Sequence, residues 1–156
     1  MKKYILLSLL FFASFPVFSQ TKKENIAALN EVFADTLLKY NFRHRATEEG
    51  LYLTQLRAGS PEKDERGPFS YFIDFIKWSD ISSLLPKPAT YGGLVLIIYG
   101  DSKKYIFSKT QNDLTYDGRS YKFLENRSAL SIFFTLSSEY PSMNKMEKLI
   151  NAIRKQ

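Results

Sequence analysis

The stretch Leu114-Thr115-Tyr116-Asp117-Gly118-Arg119-Ser120-Tyr121 sets the reading of the whole chain. Asp-Gly is a two-residue hairpin signal, because both central turn positions take positive φ and these residues adopt it at low cost. It predicts that Leu114–Tyr116 pairs antiparallel with Ser120–Glu125. Other short connections lie on both sides. Gly93 to Tyr99 is the most apolar run beyond the N-terminal segment and reads as a buried strand. Gly100-Asp101-Ser102 reads as a turn, and Lys104 to Lys109 as the returning strand. Asn126-Arg127-Ser128 reads as another turn, followed by a strand from Ala129 to Leu136.

Further upstream, Leu51–Arg57 is a first strand and Phe69–Trp78 a long aromatic one, separated by a polar loop at Ala58–Pro68. Asp80–Tyr91 contains Pro86 and Pro88 and reads as irregular. Helices stand at both ends. Thr21 and Glu24 have capping-box spacing. Ile26, Leu29, Phe33, Leu37 and Tyr40 then recur at helical steps, with Arg43, His44 and Arg45 near the expected end. After Pro141, with Ser142 as N-cap, the residues Met146, Leu149, Ile150 and Ile153 form one apolar face. Lys148, Arg154 and Lys155 fall on the other side.

The expected fold class is therefore α+β. An N-terminal helix precedes about seven antiparallel strands, in a sheet or partly closed barrel, and an amphipathic helix closes the chain. The strand run from Leu51 to Leu136 with the closing stripe Met146, Leu149, Ile150 and Ile153 resembles the pleckstrin-homology-like superfold. The segment Trp78-Ser79-Asp80-Ile81 after the long second strand is similar too. Phosphoinositide-binding members of that superfold carry a basic cluster in the loop after the first strand. Here that loop, Gly59 to Arg66, holds Glu62, Asp64 and Glu65 against Lys63 and Arg66. The resemblance thus implies a scaffold for peptides or proteins rather than an inositol-phosphate site. A helix-backed cone of the cystatin-like or nuclear-transport-factor-like (NTF2-like) kind is the alternative.

The N-terminus reads as an export signal. Met1-Lys2-Lys3 is a cationic start, Tyr4 to Phe18 is largely apolar, and Ser14 and Pro16 interrupt its end. These are the parts of a secretory signal, cut after Ser19 to leave Gln20. A membrane-spanning helix needs about 20 apolar residues, which this run does not supply. The expected organisation is a signal at 1–19 and a single domain at 20–156, exported to the periplasm or secreted. The chain has no cysteine, which excludes a lipid attached through a thiol, thiolate catalysis, zinc–thiolate sites and disulfides. The net charge of +6 loses Lys2 and Lys3 with the signal, so 6 − 2 leaves +4, spread along the chain. That is an ordinary solvated surface.

No catalytic constellation stands out, so the expectation is a non-enzymatic module that binds a protein or small ligand. No cofactor, metal or nucleic acid is expected. His44, the one histidine, has Glu48 and Glu49 nearby, but a metal site needs three or four ligands; it reads as positive charge at a helix C-terminus. Asp74 shares one face of its strand with Phe72 and Ile76. A carboxylate there could do proton chemistry, which would suit an envelope enzyme. The neighbouring stripe Phe69, Tyr71, Ile73, Phe75 is the better core face, which leaves Asp74 to solvent or to a cross-strand Lys or Arg. Tyr91 precedes Gly92-Gly93, a turn without the helix that a phosphate-cradling loop requires. Trp78, Asp74 and Tyr91 are the candidate binding residues. The alternation Lys103-Lys104-Tyr105-Ile106-Phe107 fits a half-buried strand as well as it fits base stacking.

Overall fold

Thr21 and Glu24 close the capping box that their spacing predicts. The Glu24 N–H donates to Thr21 Oγ1 at 3.3 Å, and the Thr21 N–H donates to Glu24 Oε2 at 2.7 Å. Helix α1 then runs over Lys22–Leu37 and buries Ile26, Leu29, Val32 and Phe33. This computed structural model describes residues 20–37, 44–55, 71–89, 93–134 and 140–156. The signal segment and Tyr40 lie outside them.

The strands are β1 (Arg45–Ala46), β2 (Gly50–Gln55), β3 (Phe72–Pro88), β4 (Leu94–Phe107), β5 (Leu114–Tyr116) and β6 (Arg119–Phe134). They form one six-stranded sheet in the order β1-β2-β3-β4-β6-β5, with every pair antiparallel. Helix α2 (Tyr140–Ile153) closes the chain. The α+β class and the antiparallel sheet agree with the sequence. The Asp117-Gly118 hairpin does too: their φ angles are 51° and 72°, and Tyr116 pairs with Arg119.

Among the described residues the strands are fewer and longer than expected because several turn signals mark bends. Gly100-Asp101-Ser102 lies inside β4, and Asn126-Arg127-Ser128 lies inside β6. Registers shift between Ile76 and Ile81 on β3 and between Tyr99 and Ser102 on β4. Extra residues on one strand bend a ladder without ending it. Gly100 makes the bend possible: its φ is 151°, and an added Cβ would stand 2.1 Å from the Asp80 carbonyl oxygen. The stretch with Pro86 and Pro88 is also strand. Beta2 borders β3 only from Phe72 to Lys77, so Ile81–Pro88 is a sheet edge, where a missing N–H costs no ladder bond.

Ser142 lies inside α2 rather than at its cap. The expected stripe is correct: Met146, Leu149, Ile150 and Ile153 are buried, joined by Met143. Arg154 is not a free surface charge, because its Nη1 donates to the carbonyls of Ile81 and Ser82 at 3.2 and 2.8 Å. It ties the end of α2 to the bend in β3. At the other helix, the Asn30 amide takes the Ala46 N–H at 2.8 Å and donates to the Ala46 carbonyl at 3.0 Å, which fixes α1 against β1.

The two faces of the sheet differ. Both helices pack on one face, over Leu51, Leu53, Ile76, Trp78, Leu96, Ile98, Leu130, Ile132 and Phe134. The other face carries no helix among the described residues. Its lower half is a second cluster built on Ile73, Tyr105, Tyr116 and Tyr121, with Tyr52, Phe75, Phe107 and Leu114 packed against it. Tyr52 and Tyr116 meet at 5.3 Å between ring centroids, so the open sheet curls around this cluster.

Candidate functional site

Two regions combine exposure or unmet bonding with defined geometry. The first is the upper half of the helix-free face. Leu85 stands opposite Ile97, which stands opposite Ser131; the next rows are Ser83–Tyr99–Ala129 and Lys87–Val95–Phe133. Alternation puts these side chains away from the helices, since Leu84, Leu96 and Phe134 face them. Phe133 is 60% exposed, Leu85 43% and Tyr99 36%. Scattered apolar residues are ordinary on a surface, whereas a contiguous patch marks an interaction site. These three come from three adjacent strands, β3, β4 and β6, and from three different rows, with Val95 beside Phe133 buried.

The second region is polar and lies on the helix-bearing face, toward the lower end of the sheet. Asp74 is in register with Leu53 on one side and Lys104 on the other. Lys104 is in register with Glu125. Asp74 is 1% exposed and Lys104 8%. Gln55 Nε2 donates to Asp74 Oδ2 at 2.6 Å, while Asp74 Oδ1 is buried with no partner. Lys104 does not pair with it. Its Nζ sits 4.2 Å from the centroid of the Phe72 ring, a cation–π contact. Tyr71 stands edge-on to Phe72 at 4.8 Å. Arg127 is held by Glu125 at 2.9 Å. Burial pushes the Asp74 carboxyl above the usual carboxylate range; Arg127 and Lys104 oppose this, and Glu125 reinforces it.

The expectation that Asp74 faces solvent or pairs with a cross-strand cation is therefore corrected. Lys104 is across from it, but the carboxyl turns to Gln55 and is buried. The stripe Phe72, Asp74, Ile76 and Trp78 faces the helices, and Ile73 with Phe75 lines the second cluster. Trp78 is buried, and its Nε1 donates to the Thr47 carbonyl at 2.8 Å. It anchors the bend in β3 and lies inside the main core. Tyr91 and Ser19 fall outside the described residues. Gln20 is exposed, and its carbonyl accepts from Asn25 at 3.4 Å and Gln156 at 2.8 Å.

His44 is also reassigned. Helix α1 is described only to Leu37, and His44 leads directly into β1. Its Nδ1 accepts the Thr54 N–H at 3.0 Å, and its ring stands edge-on to Phe33 at 5.6 Å. Burial lowers its pKa to about 4. The ring is neutral and structural, not a cation on a helix end. Glu48 and Glu49 are exposed.

Among the described residues, no group of three His, Asp or Glu side chains could hold a metal ion, and no helix is long and apolar enough to cross a membrane. Comparison with known protein families, curated proteins and solved structures gives no match.

Proposed function

We propose that this chain is an exported, non-enzymatic module that binds a partner protein on the helix-free face of its sheet. The observation that carries the reading is the exposure of Leu85, Tyr99 and Phe133 on three adjacent strands, on a face that no helix among the described residues covers. Apolar side chains on such a face gain from burial about 25 cal/mol per Å². Export is supported by the signal-like segment before Gln20 and by a helix start directly after it. The pleckstrin-homology-like reading of the scaffold is supported by one C-terminal amphipathic helix packed on a strongly bent antiparallel sheet.

Affinity capture from an envelope extract tests this. The protein retains a partner, and the double variant Leu85→Ser, Phe133→Ser loses it. Retention of the same proteins by both forms contradicts the reading.

An envelope enzyme using carboxylate chemistry is the second reading, favoured by the buried Asp74 with its raised pKa. Acid–base chemistry of the two-carboxylate kind needs a second acid in a matched environment. The nearest acid in the row, Glu125, is half-exposed and committed to Arg127, so this reading has less support.

A further inference from the structure

We propose that this chain forms a two-fold dimer through the outer edge of β6, residues 128–134 of one copy pairing antiparallel with the same residues of a second copy. This edge shares Phe133 with the apolar face assigned above but does not depend on that reading.

An unpaired strand edge offers its N–H and C=O groups to another strand, and natural sheets blunt such edges with short strands, charges, proline or covering groups. Among the described residues, the other edge segments of this sheet are blunted. Strand β1 has two residues and β5 three. Just beyond β1, the Thr54 N–H of β2 is taken by His44 Nδ1 at 3.0 Å. On β3, Arg154 holds the carbonyls of Ile81 and Ser82, Pro86 and Pro88 lack an N–H, and Lys87 sets a charge between them. On β6 just past β5, the Asp113 carboxylate accepts the Phe123 N–H at 2.8 Å, and Lys122, Glu125 and Arg127 carry charges.

Residues 128–134 have no such device. Their sequence, Ser-Ala-Leu-Ser-Ile-Phe-Phe, holds no charge, no proline and no glycine. Strand β4 borders them on one side, and no strand among the described residues borders them on the other.

The segment's own pattern selects its occupant. A two-fold axis at Ser131 sets Ser131 opposite itself, Leu130 opposite Ile132 and Ala129 opposite Phe133 of the second copy. Opposed residues on paired strands are in side-chain contact. Ala129 and Phe133 both face away from the helices, and Phe133 is 60% exposed, so a large exposed ring meets a small residue on each side of the axis. Leu130 and Ile132 belong to the core beneath the helices and continue that apolar layer across the axis. The two Ser131 hydroxyls meet where they can hydrogen-bond. No like charges oppose within the segment, although the chain carries a net +6. Such a self-complementary contact is the isologous kind that closes as a dimer. An arbitrary extended peptide would gain the same backbone bonds without the two Phe133–Ala129 pairs.

Sedimentation equilibrium of the purified protein, diluted from about 1 mM to about 1 μM to span weak and moderate affinities, tests this. A reversible monomer–dimer equilibrium is expected. Ser131→Lys sets two like charges at the axis, and Phe133→Ser removes the ring over Ala129. Each, with an unchanged circular dichroism spectrum, should weaken dimerisation at least tenfold. Because the chain has no cysteine, Ser131→Cys supplies one thiol at the axis. Mild oxidation should cross-link this variant at least tenfold faster than Ser83→Cys, whose thiol lies on the blunted β3 edge. A monomer at every concentration overturns the inference, even where an added peptide strand binds this edge. A dimer that Ser131→Lys leaves intact, or that cross-links as readily through Ser83→Cys, overturns it too. Capture of an envelope protein by a monomeric chain would sink this inference and leave the apolar-face reading standing.

Discussion

The ring of Tyr52 on β2 lies 5.3 Å from the ring of Tyr116 on β5, although β3, β4 and β6 stand between those strands in the sheet. Only a curled sheet brings them together. Tyr116 arrives at the end of the hairpin that Asp117 and Gly118 turn, and it is buried. Tyr116→Ala removes the ring that joins the two sides of the cluster. A large-to-small change at such a site costs about 3 kcal/mol. A drop of that order in urea-unfolding stability, with faster amide exchange across β5, is the expected outcome.

Gly100 makes a second prediction. Its φ of 151° disfavours any side chain, and a Cβ would meet the Asp80 backbone oxygen at 2.1 Å. Backbone cannot yield as a flexible side chain can. Gly100→Ala should cost more than about 2 kcal/mol, combining strain with displacement of the β3 bend. Calorimetric melting temperatures of the two forms measure it.

His44 predicts a pH dependence. Its folded pKa is lowered from 6.5 to about 4 by burial. The unfolded chain therefore takes up a proton as pH falls through 6.5, while the folded protein does not until about 4. Stability is full above that window and is lost progressively within it. The fall from 6.5 to about 4 corresponds to at most about 3.4 kcal/mol. His44→Gln should abolish this component, so the stability difference between parent and variant should vary between pH 6.5 and 4 and level off on either side.

Asp74 carries the opposite sign. Its folded pKa is raised by burial, so the folded protein retains a proton at pH values where the unfolded chain has released it. Stability contributed by this group is greatest below the ordinary carboxylate value and falls as pH rises through the folded one. Asp74→Asn cannot ionise. Its stability relative to the parent should increase from acidic to neutral pH, as read by urea midpoints at a series of pH values.

The features legible in the sequence were local ones. The capping box of Thr21 and Glu24 and the turn at Asp117-Gly118 depend on residues three or fewer positions apart, and both formed as read. The stripe of α2 was legible for the same reason. The bends were not, because Gly100-Asp101-Ser102 and Asn126-Arg127-Ser128 have the composition of turns, and a bulge uses the same residues. Which face of β3 meets the helices was also illegible. Both stripes are rich in apolar residues because both faces are covered, one by helices and one by the curl of the sheet. The environment of Asp74 depends on Gln55, and that of His44 on Thr54, each from β2. The exposed residues Leu85, Tyr99 and Phe133 come from three strands whose register no single stretch of sequence specifies.

The central claim is that the helix-free face binds a protein. Nuclear magnetic resonance shift mapping of the labelled protein, titrated with the partner captured from the envelope, tests it most directly. The account predicts that the largest perturbations fall on Leu85, Ile97, Tyr99 and Phe133, with the buried α2 residues Met146 and Ile150 unmoved. Perturbations concentrated on α1 and α2, with Leu85, Tyr99 and Phe133 unchanged, would contradict it.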